Sequence, residues 1–335
     1  MEKQQLTLTC QVDSYRSGWT IVEFLSHRFP YHTAEGWTKR VEDEWVRVNG
    51  ATVETSHAVA KNDAVEYTIW HHEPPVDDRY TVLFEDEHYL AVSKSGNIPV
   101  HACGIYIVNT LISRLRADYG AKINLAHRLD RETSGVVMLA KHRSANRLLA
   151  GMFERGEVEK QYLAIVYGRV SGGPGSTALI DAPIAKVDAR YQYPVEYEYG
   201  KANDRATFLP KRIVGEGGKP ARTRFEVTGT NLYEGHELTT LRVIPEHGRT
   251  NQIRVHLAHI GHPIVGDKIY ALSGDIHEEL LREGLTPRCR AELILDRHAL
   301  HCESLRFVHP LTAQTLTIDA PVPDDLRALA CGGSA

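Results

Sequence analysis

Asp130 stands between Arg128 and Arg131 in the stretch AHRLDRETSGVVMLAKHRSANRLL, residues 126–149, a few positions before the apolar run VVMLA. Cations on both sides favour the charged carboxylate, and a charged carboxylate fixed at the mouth of a buried strand can serve as a nucleophile or a base. The same residue types also fit a structural ion pair, the commoner use of such a cluster. A second set of candidates is His256, His259 and His262 in HLAHIGH. Their spacing lacks the i, i+4 histidines and intervening glutamate of a helical zinc protease, and Gly261 precedes the third. Metal binding is therefore not expected.

The rest of the chain limits what Asp130 can belong to. With 335 residues, 42% hydrophobic and 24% charged, it has the size and composition of a globular protein of about two domains. No run approaches the roughly 18 apolar residues of a membrane span, and the polar start MEKQQLTLTC lacks the apolar stretch of a secretory leader, so a cytoplasmic protein is expected. Cys10, Cys103, Cys289, Cys302 and Cys331 are scattered, without a C-x-x-C pair, and fit reduced thiols rather than a disulfide framework. The net charge of −4 does not by itself suit a nucleic-acid binder. Seven basic residues between Lys201 and Arg224, against Asp204 and Glu216, nevertheless form a strip that could follow a phosphate backbone or simply be a solvated loop.

Residues 1–72 read as a small α+β unit. Ile21, Phe24 and Leu25 have helical spacing, EWVRVNGATVE and NDAVEYTIW alternate like strands, and Asn49-Gly50 is a strong hairpin turn. HHEPPVDD (71–78) is Pro-broken and polar, and places a linker at residues 73–79. The second domain, residues 80–330, begins with two strands around an acidic turn in YTVLFEDEHYLAVSK. VVMLA is a buried strand, and a helix capped by Ser144 and stopped by Gly156 follows, with Leu148, Leu149, Met152 and Phe153 on one face. KQYLAIVYGRV, TRFEVTGT and ELTTLRVIPE are further strands, the last two joined by turn residues 231–235. A helix capped near Thr250 places Ile253, Leu257 and Ile260 on one face and ends at Gly261 and Pro263. Residues 171–221, Gly/Pro-rich at both ends, read as a long insertion or loop. Strands interrupted by isolated helices, with late hairpins, favour an α+β fold built on a mixed, largely antiparallel sheet.

HRLDRETSG (127–135) resembles the central motif of the RluA-like pseudouridine synthases, H-R-L-D-x-x-T-S-G. In the expected order, EKQYLAIVYG is similar to that family's K-x-Y-L-A strand, GKPARTRF to its G-K-x-A-x-T strand, GRTNQIRVHLAHIGHPIVGD to its G-R-T-H-Q-I-R-V-H-L segment, and RHALHCESLRFVHPLT to its ending. These blocks span about 80–325, and several ordered motifs are far more specific than one. WTKRVEDEWVRVNG with KNDAVEYTI is similar, more loosely, to the small RNA-binding domain, shared with a ribosomal protein, that many such synthases carry in front. Here Glu35, Glu42, Asp43 and Glu44 replace most of its basic residues.

The resemblance implies an isomerase that converts uridine in ribosomal or transfer RNA to pseudouridine in a central RNA-binding cleft, without metal or other cofactor; a monomer is expected. Asp130 matches the catalytic aspartate, Arg254 the arginine paired with it, and Tyr162 the tyrosine against the uracil, a candidate for removing the carbon 5 proton. Arg128 matches the residue that fills the space left by the flipped nucleotide. Arg131, Lys160, Arg249, Lys219 and Arg222 are expected to hold the RNA. Departures from the pattern are Asn251 for His, Cys302 for Ala, and the missing proline after Lys94 in KSGNIPVH. The rival readings are a catalytically silent RNA-binding protein and a metal-dependent hydrolase.

Overall fold

The structure is a computed structural model that describes residues 4–332 except 31, 72, 105 and 188–211. Contacts divide the chain into two units between Pro74 and Pro75. In the first, β1 (Gln4–Gln11), β2 (Val46–Val48), β3 (Ala51–Thr52) and β4 (Ala64–His71) form an antiparallel sheet in the order β1-β4-β2-β3. Helix α1 (Ile21–Arg28) starts with a reciprocal cap, in which Thr20 accepts from the Glu23 amide and Glu23 reaches back to the Thr20 amide. It buries Ile21, Phe24 and Leu25, and α2 (Ala34–Glu42) adds Trp37 and Val41. Asn49 and Gly50, at φ 52° and 83°, make the tight β2–β3 turn that their side chains permit.

The second unit is α+β around a ten-stranded, largely antiparallel sheet. Its strands are β5 (Tyr80–Glu85), β6 (Tyr89–Lys94), β7 (Asn124–Leu125), β8 (Ser134–Ala140), β9 (Glu159–Tyr167), β10 (Thr177–Asp181), β13 (Arg222–Tyr233), β14 (His236–Pro245), β15 (Leu300–Val308) and β16 (Thr315–Asp319). The order is β10-β13-β14-β9-β15-β8-β6-β5, with β16 on β15 and β7 on β8. Among the described residues only the short β15–β8 contact is parallel. It closes because residue 135 is glycine: a Cβ there would run into the Cys302 backbone, and φ is +111°. One apolar cluster joins β6 and β8 to α3 (Leu111–Tyr119) and α4 (Arg143–Arg155), through residues such as Val92, Val137, Leu115 and Leu149. A second joins β9, β13 and β14 to α5 (Gln252–His259) and α6 (Asp324–Cys331). Tyr162, central on β9, packs against both.

The structure differs from sequence expectations in several places. Helix α4 is capped by His142, not Ser144. The imidazole Nδ1 accepts the Ala145 amide at 3.3 Å while Nε2 meets His88 at 3.0 Å, so a ring nitrogen does the work of a hydroxyl. Leu148 is 43% exposed rather than on the buried face. Helix α5 has no side-chain cap; Asn251 precedes it at φ 57°, the left-handed region that Asn tolerates, and Ile260 lies past its end, exposed. The turn between β13 and β14 narrows to Glu234-Gly235. Within 171–221, β10, β11 (Ile184–Lys186) and β12 (Arg212–Val214) are ordered strands, because Ile180 and Ile184 find buried seats. Residues 188–211 of that insertion, with Lys201, Arg205 and Lys211, lie outside the described residues.

Candidate active site

Asp130 lies in the turn that feeds β8, where its carbonyl accepts the Thr133 amide at 3.1 Å. Lys94, at the end of β6, holds that turn from below: its ammonium is buried and donates to the carbonyls of Ser95, Ile98 and Arg131 at 2.7–2.9 Å. Burial pushes this lysine down to about 7. Arg254 comes from α5, whose first turn is fixed by Gln252 donating to the Arg222 carbonyl and Thr223 hydroxyl on β13.

Between the two elements runs one guanidinium with two carboxylates. Arg254 donates Nη1 to Asp130 Oδ2 at 2.9 Å, and Nε and Nη2 to Asp267 at 2.7 and 2.8 Å. The Asp267 side chain is fully buried and also accepts the amides of Ile269 and Tyr270, whereas the Asp130 side chain is 26% exposed. Burial works against the arginine's charge, but Asp267 and Asp130 more than restore it, so Arg254 is held more firmly protonated than usual. The forked grip on Asp267 fixes the plane of the guanidinium, which presents its remaining edge to Asp130. Gly266 makes room for this: a Cβ there would strike the Arg297 carbonyl.

Beside this site, Glu132 is buried with Lys268 at 2.9 and 3.0 Å and Arg131 at 2.6 Å. Burial alone would raise Glu132, but Lys268 and Arg131 pull it below its ordinary value of 4.5. A depressed carboxylate adds stability above its unfolded-state value and loses it as pH falls through the folded one. Glu132→Gln should therefore cost about 3 kcal/mol at pH 7, and the gap from the parent chain should close as denaturation is repeated below about pH 4.5. A gap unchanged at acid pH would reject this assignment.

A cleft of about 470 Å³ opens over Asp130 and Arg254, lined also by Arg128, Lys160, Tyr162 and Arg249. Arg131, Lys219 and Arg222 do not line it. Arg131 turns to Tyr106 and Glu132, while Arg222 pairs with Asp181 at 2.9 Å on the surface. Tyr162 lies opposite Cys302 across β9 and β15. Burial, then Cys302 and Asp130, hold its phenol well above the usual range, and burial pushes the Cys302 thiol up to about 12. This is the reverse of the help that a tyrosine base would need. His256 is buried with its ring nitrogens on Thr223 and Ala182, and His262 meets the Tyr167 carbonyl. Among the described residues no group of three His, Cys, Asp or Glu could hold a metal ion, and no helix is long and apolar enough to cross a membrane.

The family profile of RNA pseudouridylate synthases matches residues 88–259, the span that carries Asp130, Tyr162 and Arg254. The chain is 32% identical over 302 residues to an uncharacterized RNA pseudouridine synthase of Bacillus subtilis, covering 86% of this chain and 90% of that one. The chain belongs to the RNA pseudouridylate synthase family. These synthases are isomerases that convert uridine to pseudouridine in RNA. The synthase is also 35% identical over 265 residues to the ribosomal large subunit pseudouridine synthase D of Xanthomonas campestris, covering 77% of this chain and 70% of that relative. Its fold is similar to that of human RNA pseudouridylate synthase domain containing 1, with TM-score 0.56 and 24% identity over 76% of this chain and 89% of that one. Asp267 and Lys94 of the synthase are the site residues that sequence reasoning missed. The Gly266-Asp267 pair directly after the apolar Ile264 and Val265 was the available signal for the first; nothing local pointed to the three carbonyls around the second.

Proposed function

We propose that this synthase isomerises a uridine of ribosomal or transfer RNA with Asp130 as its reacting carboxylate. The observation that carries the assignment is the asymmetry of the Arg254 bridge, sealed at Asp267 and open to the cleft at Asp130. A carboxylate held by an arginine that cannot turn away is oriented for reaction at the sugar or the base of an everted nucleoside. Flipping the nucleotide out of its stack costs about a few kcal/mol, and Arg128, exposed at the cleft rim, has the planar group to fill the gap. Lys160 and Arg249 contact the flanking backbone from the cleft walls, with Lys219 and Arg222 exposed farther out. The bond from C1′ to N1 breaks, the uracil turns, C5 bonds to C1′, the C5 proton leaves to solvent, and N1 takes up a proton in its place, so that the product is an isomer of the substrate.

Tyr162 packs its ring against the uracil and keeps its proton in the free enzyme. Tyr162→Phe should then release label within about tenfold of the parent, while Tyr162→Ala, which lets the base wander, should lose about a hundredfold. A Phe variant as impaired as the Ala variant would give the phenol the proton-transfer role instead.

The assay is tritium release from RNA labelled at C5 of uridine, with large-subunit ribosomal RNA lacking the modification and unmodified transfer RNA as separate substrates. Release that survives a chelator is expected. No release from any cellular RNA fraction would leave a silent RNA binder, and loss on chelation would favour a hydrolase. For the first unit we propose an RNA-binding role too, although α2 offers Glu35 and Glu42 where a phosphate-tracking helix carries cations.

A further inference from the structure

We infer that the first unit binds unpaired RNA by base stacking on the exposed Tyr15 ring, which half-buried Trp19 and exposed His27 back. The inference rests on the reading that the chain acts on RNA. Tyr15 is 71% exposed, with ring centres 5.6 Å from Trp19 and 6.4 Å from His27; Trp19 and His27 are 5.1 Å apart, edge to face. The Arg16 guanidinium sits 5.9 Å over the Tyr15 ring, bonded to His27 and paired with Asp13. Arg28, next to His27 at the end of α1, and Lys61, whose amide bonds the Ser17 hydroxyl, are also exposed.

The platform is built before any ligand arrives. Gly18 donates to the Val59 carbonyl at 2.7 Å, Val59 donates to the Trp19 carbonyl at 2.9 Å, and Lys61 donates to Ser17 at 3.2 Å, so the loop that carries two of the rings is pinned. Rings held in place lose little freedom when a base stacks on them. Among the large apolar side chains described in this unit, only Tyr15 and Trp70 are exposed. Among the described residues no further large apolar side chain continues the patch, as a protein partner would require, whereas an exposed ring in a unit that also exposes Arg28 and Lys61 suits a base and its phosphate. The acidic α2 removes electrostatic tracking, and stacking supplies affinity that does not depend on it.

The test uses the full chain and a labelled single-stranded oligouridylate, with affinity read by fluorescence anisotropy. Tyr15→Ala should weaken binding by about tenfold, Tyr15→Phe should bind like the parent, and Tyr15→Leu should resemble Ala because it keeps bulk but loses the π face. Tyr15→Ala should also raise KM for tritium release without lowering kcat. Equal binding by the Leu and Phe variants, no effect of Ala, or a change in sedimentation mass in place of RNA affinity would overturn the inference, the last two pointing to a second copy or another protein as occupant. Failure of the parent chain to release tritium, with oligouridylate binding still sensitive to Tyr15, would sink the activity reading and leave the platform standing.

Discussion

Asp130→Asn is expected to abolish tritium release, a loss of about four orders of magnitude or more, while RNA affinity and thermal stability stay near those of the parent. The amide has nearly the shape of the carboxylate, and its oxygen can still accept the Arg254 Nη1 donor at the 2.9 Å position. Only the negative charge and the nucleophilic lone pair are lost. Stability should hold because Arg254 keeps its forked bond to Asp267, and because the Asp130 side chain is partly in solvent and not sealed in the core. A variant that retains a tenth of the parent's turnover would remove Asp130 from the chemistry.

The second large effect is on stability. Arg254→Met should unfold at about 3–5 kcal/mol less free energy, since it leaves Asp267 charged, fully buried and without a cation. Turnover should be lost as well, because Asp130 loses its orienting partner. Adding Asp267→Asn in the same chain separates the two roles. Its amide oxygen can still accept from Ile269 and Tyr270, where Asp267 now receives bonds at 2.9 and 3.2 Å, but it carries no charge. Denaturation should recover part of the lost stability and tritium release should not return. If Arg254→Met melts like the parent, the buried bridge is not what holds this corner of the fold.

Much of this was legible in the residues. Asp130, Tyr162 and Arg254 carried local motif signals, and the structure brings them around one cleft. Six strands of the sheet announced themselves through alternation or buried apolar runs, as in VVMLA and KQYLAIVYG, whereas β7, β10, β15 and β16 were not read as strands. What escaped depended on contacts distant in the chain. Arg131 has the same flanking position as Arg128 in sequence, yet it turns inward because Glu132 is buried and needs its charge. Asp267 acquires its meaning only when α5 is laid beside it. His142 caps α4 because His88, fifty-four positions earlier, steadies its ring. Strand β1 was overlooked although Leu6, Leu8 and Cys10 alternate, since its pairing with β4 joins the two ends of the first unit.

Tyr162 is also the seam between the two apolar clusters of the second unit. A ring wedged between separately built halves reports on both of them: loosening around Val137 or around Leu241 would reach the cleft-lining face of Tyr162 by the same route. Warming that softens either half would then blunt turnover well before the sheet comes apart, so heat inactivation of this enzyme would precede its melting.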